Sequence, residues 1–311
     1  MSAHLPVMRD EVLTALAVRP DGCYLDATFG RGGHSAAILE QLGDGGRLLA
    51  LDRDDEAVAA AREQFATDPR FTIRHVAFAA LGQVVDDAGL AGQINGLFFD
   101  FGVSSPHLDD AERGFSFMRD GVLDMRMDRS QSLTAASYLA TVTEIQLRRD
   151  LRTLGEERLA ARIAKAIIDA RARQPIERTL QLADIVEQAV PARVRAKASK
   201  HPATRTFQAI RIRVNDELDQ LQTALQAVPA VLAVGGRVCF LTFHSLEDRP
   251  VKRFLQRESA EDPVYRGLPD MPEHARARMR IIGKQRSASA AELAVNPRSR
   301  SARLRVGERL R

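Results

Sequence analysis

The sequence predicts an α/β protein, a doubly wound parallel sheet interrupted by an all-helical insertion. Three observations carry this. The first hundred residues alternate short apolar runs with helical patterns, the next hundred hold helical patterns only, and the alternation then resumes. Strands alternating with helices build parallel sheets, and short continuous apolar runs suit strands buried on both faces.

Residues 23–29 read as a first strand, followed by glycines and a short helix over 35–42 that ends at Gly43. Residues 47–51 form a second strand, and 55–65 an alanine-rich helix. Further strands are expected at 71–75 and 94–99. The segment 109–130 is rich in Gly, Asp, Arg and Met and has no clear period. The stretch 132–200 is helical, with Leu159, Ile163, Ile167 and Ala170 on one face and Leu182, Ile185, Val186 and Ala189 on another. Residues 206–228 read as one long amphipathic helix through Phe207, Ile210, Val214, Leu218, Leu221, Leu225 and Val228. A fifth strand follows at 237–243. The stretches 279–282 and 302–306 are expected to add an edge hairpin. The expected domains are therefore 1–108 with 204–311, and an inserted helical domain over 109–203.

Composition narrows the class. Of 311 residues 45% are apolar and 28% charged, ordinary values for a globular protein. No apolar stretch is long enough to span a bilayer, and Arg9, Asp10 and Glu11 stand where a signal peptide would be apolar, so a cytoplasmic location is expected. Cys23 and Cys239 read as reduced, buried thiols. Neither they nor the seven histidines show metal-ligand spacing. The net charge of +4 is uneven. Residues 276–311 carry eleven Lys/Arg against Glu292 and Glu308, a net +9, which leaves −5 for the remainder. A basic tail on a near-neutral body suggests a polyanionic partner.

The first turn, Asp26-Ala27-Thr28-Phe29-Gly30-Arg31-Gly32-Gly33-His34, suits a cofactor. Glycine lets backbone approach a ligand closely, and the following helix offers free N–H groups. Asp52, closing the second strand, suits ribose hydroxyls. A dinucleotide fingerprint would want a third glycine where Ser35 stands. Asp26 would repel a pyrophosphate but would receive the ammonium of an amino-acid cofactor. S-adenosylmethionine, with a ribose, an amino acid and no phosphate, fits better than a nicotinamide dinucleotide. Phe78 follows the third strand and is a candidate for stacking on adenine.

Asp100 ends the fourth strand and leads into Phe101-Gly102-Val103-Ser104-Ser105-Pro106-His107. Ligands of such sheets sit at the carboxyl ends of the strands. The loop is similar to the Ser/Asp-Pro-Pro-aromatic loop of enzymes that methylate exocyclic amines, without the second proline and the aromatic. Asp100, Ser104 and Ser105 are the candidates to orient such an amine. Phe243-His244-Ser245-Leu246-Glu247-Asp248 is no hydrolase triad, because adjacent side chains do not converge. Asp120, Asp124 and Asp128 lie among Arg119, Arg126 and Arg129 and read as internal ion pairs rather than a metal site.

Together these motifs resemble the bacterial 16S rRNA cytosine N4-methyltransferase family. The resemblance also runs through His4-x-Pro6-Val7, Asp52-Arg53-Asp54, Arg113-Gly114-Phe115-Ser116-Phe117, Leu123-Asp124-Met125-Arg126-Met127-Asp128, Gly155-Glu156-Glu157, Thr206-Phe207-Gln208-Ala209-Ile210-Arg211-Ile212 and Asn296-Pro297-Arg298-Ser299-Arg300-Ser301-Ala302. It implies a Rossmann-like class I S-adenosylmethionine methyltransferase sheet with an inserted helical domain for substrate recognition. It implies methylation of the cytidine at position 1402 of 16S rRNA, in the decoding region of the small ribosomal subunit. It places cofactor contacts at Gly32, Gly33, His34, Asp52, Phe78 and Asp100. The family usually has Gln, also near the cofactor, where His107 stands, which makes His107 a further candidate cofactor contact, and Pro where Val122 stands. A non-catalytic RNA-binding protein on the same fold is the competing expectation. Arg298 and Arg300, and Arg303 and Arg305, would each share one side of an extended chain and meet RNA phosphates.

Overall fold

The computed structural model describes residues 6–198, 200–265 and 271–311. His4 of the first motif lies outside the described residues. The described chain divides into two compact units, residues 1–102 with 218–311 and residues 103–217.

In the first unit an eight-stranded sheet is described, ordered β3-β2-β1-β4-β5-β8-β6, with β7 paired to β8. The strands are β1 (Cys23–Asp26), β2 (Arg47–Asp52), β3 (Phe71–His75), β4 (Ile94–Asp100), β5 (Leu232–Thr242), β6 (Met279–Ile281), β7 (Arg286–Ser287) and β8 (Arg303–Arg309). β1 to β5 run parallel, and β8 enters antiparallel between β5 and β6. Both faces of the sheet are apolar because both are covered. Leu25, Leu49, Leu97, Phe99, Val238 and Phe240 pack to one core, and Tyr24, Leu48, Phe98, Cys239 and Leu241 to the other. Cys239 is buried as expected, whereas Cys23 is only half-buried. The strand order reverses between β1 and β4. This switch point brings Asp26 and Asp100, the last residues of neighbouring strands, to one edge.

β5 starts five residues before its expected position. A register irregularity opposite Ile94–Gly96 absorbs the extra length, with Gly235 at φ +77° and Gly236 where a Cβ would meet Ile94 O at 2.6 Å. The two tail strands do pair, but 21 residues with β7 and a helix at Ala290–Val295 separate them, so they are not a tight hairpin.

The second unit is helical, with helices at Ala135–Thr141, Glu144–Thr153, Ala160–Arg171, Thr179–Ala189, Ala192–Arg195 and Thr204–Asn215. The expected single helix over 206–228 is two helices, Thr204–Asn215 and Glu217–Val231. Asp216 sits in the left-handed region at φ 48° and ends the first. Asn215 is buried, and its side chain donates to Met125 O at 2.7 Å and accepts from Met127 N at 2.8 Å. The apolar stripe divides accordingly. Phe207, Ile210 and Val214 join the core of the helical unit, and Leu221, Leu225 and Val228 that of the sheet. The units thus part at 102/103 and 217/218 instead of the expected 108/109 and 203/204.

The irregular stretch 109–130 is held by polar contacts. Buried Arg113 donates to Arg126 O at 3.2 Å and Met127 O at 3.1 Å. Asp124 clasps Arg126 at 2.7 and 2.8 Å, and Asp120 pairs with Arg178 at 2.6 Å. Asp128 accepts from Ser130 N and Oγ. Asp120 and Asp124 are thus in ion pairs.

Candidate active site at the sheet switch point

Asp26 is buried at the end of β1. Its Oδ2 accepts the Ser35 hydroxyl at 2.7 Å and its Oδ1 accepts Thr28 N–H at 3.1 Å. The residue standing where a dinucleotide site wants a third glycine thus serves to hold this carboxylate. Asp52, at the end of β2, accepts Gly30 N–H at 2.7 Å and Asp54 N–H at 2.9 Å. It ties the glycine turn to the next helix, whose first turn Asp54 caps through Glu56 N at 3.1 Å.

Gly30 and Gly32 have φ of 59° and 73°, the left-handed region that favours glycine. A Cβ on Gly32 would lie 2.5 Å from the Phe29 ring, and one on Gly33 2.5 Å from Pro6 Cγ. The protein's own packing therefore already requires glycine at both positions, beyond any close approach of a ligand.

His34 is buried in the helix Gly33–Leu39. Its Nε2 donates to Val7 O at 3.0 Å, its ring lies 4.5 Å from that of Phe98, and its Nδ1 is 3.9 Å from Asp100 Oδ2. Asp100 keeps 28% of its side-chain surface open, and its N–H donates to Thr28 Oγ1 at 2.6 Å. Burial, then the neighbouring Asp26 and Glu247, raise its carboxyl well above the usual carboxylate range. Asp26 is pushed up to about 6, chiefly by burial, with Asp52 adding to the rise against the bonds from Ser35 and Thr28. Glu247 is buried in the first turn of the helix Ser245–Glu258 and accepts from Phe243 N at 2.8 Å and His244 N at 3.2 Å.

Four carboxyls thus surround the switch point: Asp52 acts on Asp26, and Asp26 and Glu247 act on Asp100. Carboxyls held up by burial and by one another are relieved by a positive charge, so the site suits a cationic ligand. A sulfonium with an α-ammonium group is such a ligand, and a pyrophosphate is not. Half-buried Phe78 opens a short 3-10 turn beyond β3. Its ring meets Phe99 and Phe101 edge-on, at 6.1 and 5.6 Å.

Ser104, Ser105 and His107 fall in the helical unit. Ser104 caps the helix Ser105–Asp109, its N–H donates to His107 Nδ1 at 3.3 Å, and His107 stacks on Phe115 at 4.7 Å. Their visible work is helix capping.

The tail arginines differ from expectation. Arg298 and Arg300 lie in a 3-10 helix, Pro297–Ser301, so period-two alternation does not apply to them. Arg303 and Arg305 do share a side of β8, and both reach buried Asp248, Arg303 at 3.3 Å. Sequence reasoning missed Thr28, Ser35 and Asp248. Thr28 and Ser35 flank the glycines within the motif. Nothing in the local pattern around Asp248 names partners 55 and 57 residues away.

Comparison with known proteins completes the picture. The model of the MraW methylase family matches residues 1–310. A protein of Coxiella burnetii (strain Dugway 5J108-111), named Ribosomal RNA small subunit methyltransferase H, is 53% identical over 310 residues, covering 100% of both chains. One of Thioalkalivibrio sulfidiphilus (strain HL-EbGR7) with the same name is 53% identical over 309 residues, covering 99% of this chain and 98% of its own.

Proposed function

Because the chain belongs to the MraW methylase family, we propose that it transfers a methyl group to the exocyclic N4 amine of a cytidine in 16S rRNA, at position 1402 of the decoding region. It is an S-adenosylmethionine-dependent rRNA methyltransferase. The observation that carries the site assignment is the convergence of Asp26, Asp52, Asp100 and Glu247 on the switch point, a donor set suited to a cation. The substrate reading rests on the two relatives, each named for the small-subunit RNA, and the N4 amine and its position on the sequence resemblance.

When bound, the cofactor supplies an electrophilic methyl on a sulfonium. In this reading Asp26 holds the ammonium, Asp52 the ribose hydroxyls, and Phe78 lies against the adenine. A cytosine amine is a weak nucleophile because its lone pair is delocalised into the ring. Asp100 accepts one of its N–H groups, which fixes the nitrogen's orientation and leaves the lone pair directed at the methyl group. Most of the rate gain then comes from in-line placement. When ionised, a carboxylate whose proton affinity burial has raised is a better proton acceptor than an ordinary one, so Asp100 suits the proton that the amine must shed. His34, anchored to Val7 O, stands 3.9 Å from Asp100 Oδ2.

The test is incubation with labelled S-adenosylmethionine and unmethylated small-subunit particles, followed by mass mapping of the RNA. Label on N4 of a single decoding-region cytidine is expected. Label in no rRNA nucleotide overturns the proposal.

A further inference from the structure

The helix Ser245–Glu258 divides its charge in an unusual way. Its acids turn inward: Glu247 accepts backbone N–H groups, Asp248 pairs with Arg303 and Arg305, and Glu258 pairs with Arg257 and Arg278. Its fully exposed positions are Arg249, Lys252, Arg253, Gln256 and Arg257, with no acid among them. Positions 249, 252, 253 and 256 follow the i, i+3, i+4, i+7 spacing of one helical stripe. Like charges at i and i+4, as in Arg249–Arg253 and Arg253–Arg257, oppose helix formation, so the stripe does not serve the helix itself.

Beside this stripe the turn after β6 brings Lys284 and Gln285 against Lys252 and Gln256, around a cavity of about 70 Å³. No acid lines it. Arg305 also lines it, but its charge is taken by Asp248 and its Nη2 donates to Gln285 Oε1 at 3.2 Å. Lys252 and Lys284 have no hydrogen bond or ion pair among the described residues. The cavity's volume is roughly the liquid share of two water molecules. A small depression between two lysines suits a compact anion such as one phosphate group.

We infer that Lys252 and Lys284 clasp a backbone phosphate of the substrate RNA, and that Arg249 lines the path between it and the catalytic edge, with Arg253 beside the clasp. The helix starts directly after β5, whose Leu241 pairs with Asp100. At about 1.5 Å per residue, Lys252 stands about 10 Å along the helix from Ser245. The clasped phosphate therefore belongs to a nucleotide flanking the target. This inference rests on the RNA-methyltransferase reading above. It adds a phosphate contact from the helix Ser245–Glu258 to the candidates in the tail.

The experiment compares the full-length protein with Lys252→Gln/Lys284→Gln. A control, Arg62→Gln/Arg74→Gln, removes equal charge from exposed positions at the opposite edge of the sheet. Binding to unstructured oligouridine is measured across salt concentrations, and methyl transfer to unmethylated small-subunit particles across particle concentrations. The lysine variant should lower the slope of log K against log salt by about 0.7 for one phosphate lost. It should raise KM for particles about tenfold, with the effect on KM rather than kcat, and leave cofactor affinity unchanged. The control should leave the slope at the wild-type value. An unchanged slope and KM in the lysine variant, or an equal drop in both variants, overturns the inference. If wild-type protein methylates no particle RNA, the underlying reading fails, while the oligouridine slopes still decide whether this pocket holds a phosphate.

Discussion

Arg305 and Asp248 clasp each other through two parallel hydrogen bonds, Nε to Oδ1 at 2.7 Å and Nη2 to Oδ2 at 3.0 Å. The pair fastens β8 to the helix Ser245–Glu258, and Asp248 keeps only 7% of its side chain exposed. Its carboxyl lies below the usual range, because the two arginines outweigh the opposing effect of burial. Removing one partner of a buried pair leaves the other charge poorly compensated. Arg305→Ala should therefore destabilise the fold by about 3 kcal/mol, read as a lower melting temperature. Exposed Arg300, in the 3-10 turn, should behave oppositely. Arg300→Gln should melt like wild type and lower the salt slope of RNA binding by about 0.7. A wild-type melt for Arg305→Ala would return Arg305 to the list of RNA contacts.

Asp52 has two tasks, and one substitution separates their readouts. Asp52→Ala should weaken S-adenosylmethionine binding by about 1.5–3 kcal/mol if one charged hydrogen bond to the ribose is lost. It should also lower the melting temperature of the protein alone, because Gly30 N–H and Asp54 N–H lose their acceptor. Calorimetric titration and thermal melting measure the two. Unchanged affinity with a lowered melting temperature would leave Asp52 a structural role only.

Asp26 predicts opposite pH trends for stability and for binding. Its carboxyl is pushed up to about 6, against an ordinary 3.8. Between these values the unfolded chain gives up the proton while the native protein keeps it, so stability falls as pH rises through the window. The loss levels off above about pH 6 and amounts to about 3 kcal/mol from this group. Cofactor affinity should rise over the same window, because only the ionised carboxylate attracts an ammonium. Asp26→Asn should flatten the stability trend and weaken binding at every pH. Affinity that stays level from pH 5 to 8 would remove Asp26 from the ammonium site.

Gly32 tests the packing role of the turn. A Cβ there meets the Phe29 ring at 2.5 Å and must adopt φ 73°. Gly32→Ala should cost about 1–3 kcal/mol of stability, measured by denaturant titration without cofactor. If that cost is absent and only cofactor binding suffers, the glycine is there for the ligand and not for the fold.

The sequence by itself determined the sheet, the insertion and the acidic ends of the strands. These are local patterns: apolar runs of strand length, helical spacing, and single acids at the ends of β1, β2 and β4. The motif order also sufficed to identify the family. Tertiary structure decided what those residues do to one another. It split the expected helix at Asp216, because Asn215 turns its side chain inward to Met125 and Met127. It gave Ser35 to Asp26 and Ser104 to a helix cap. It turned Arg303 and Arg305 from candidate RNA contacts into partners of Asp248. A side chain's charge is written in the sequence. Whether that charge is spent inside the fold or left for a ligand depends on neighbours brought close only when the chain folds, and this is why Arg305 and Arg300 look alike in the sequence while the helix Ser245–Glu258 went unnoticed.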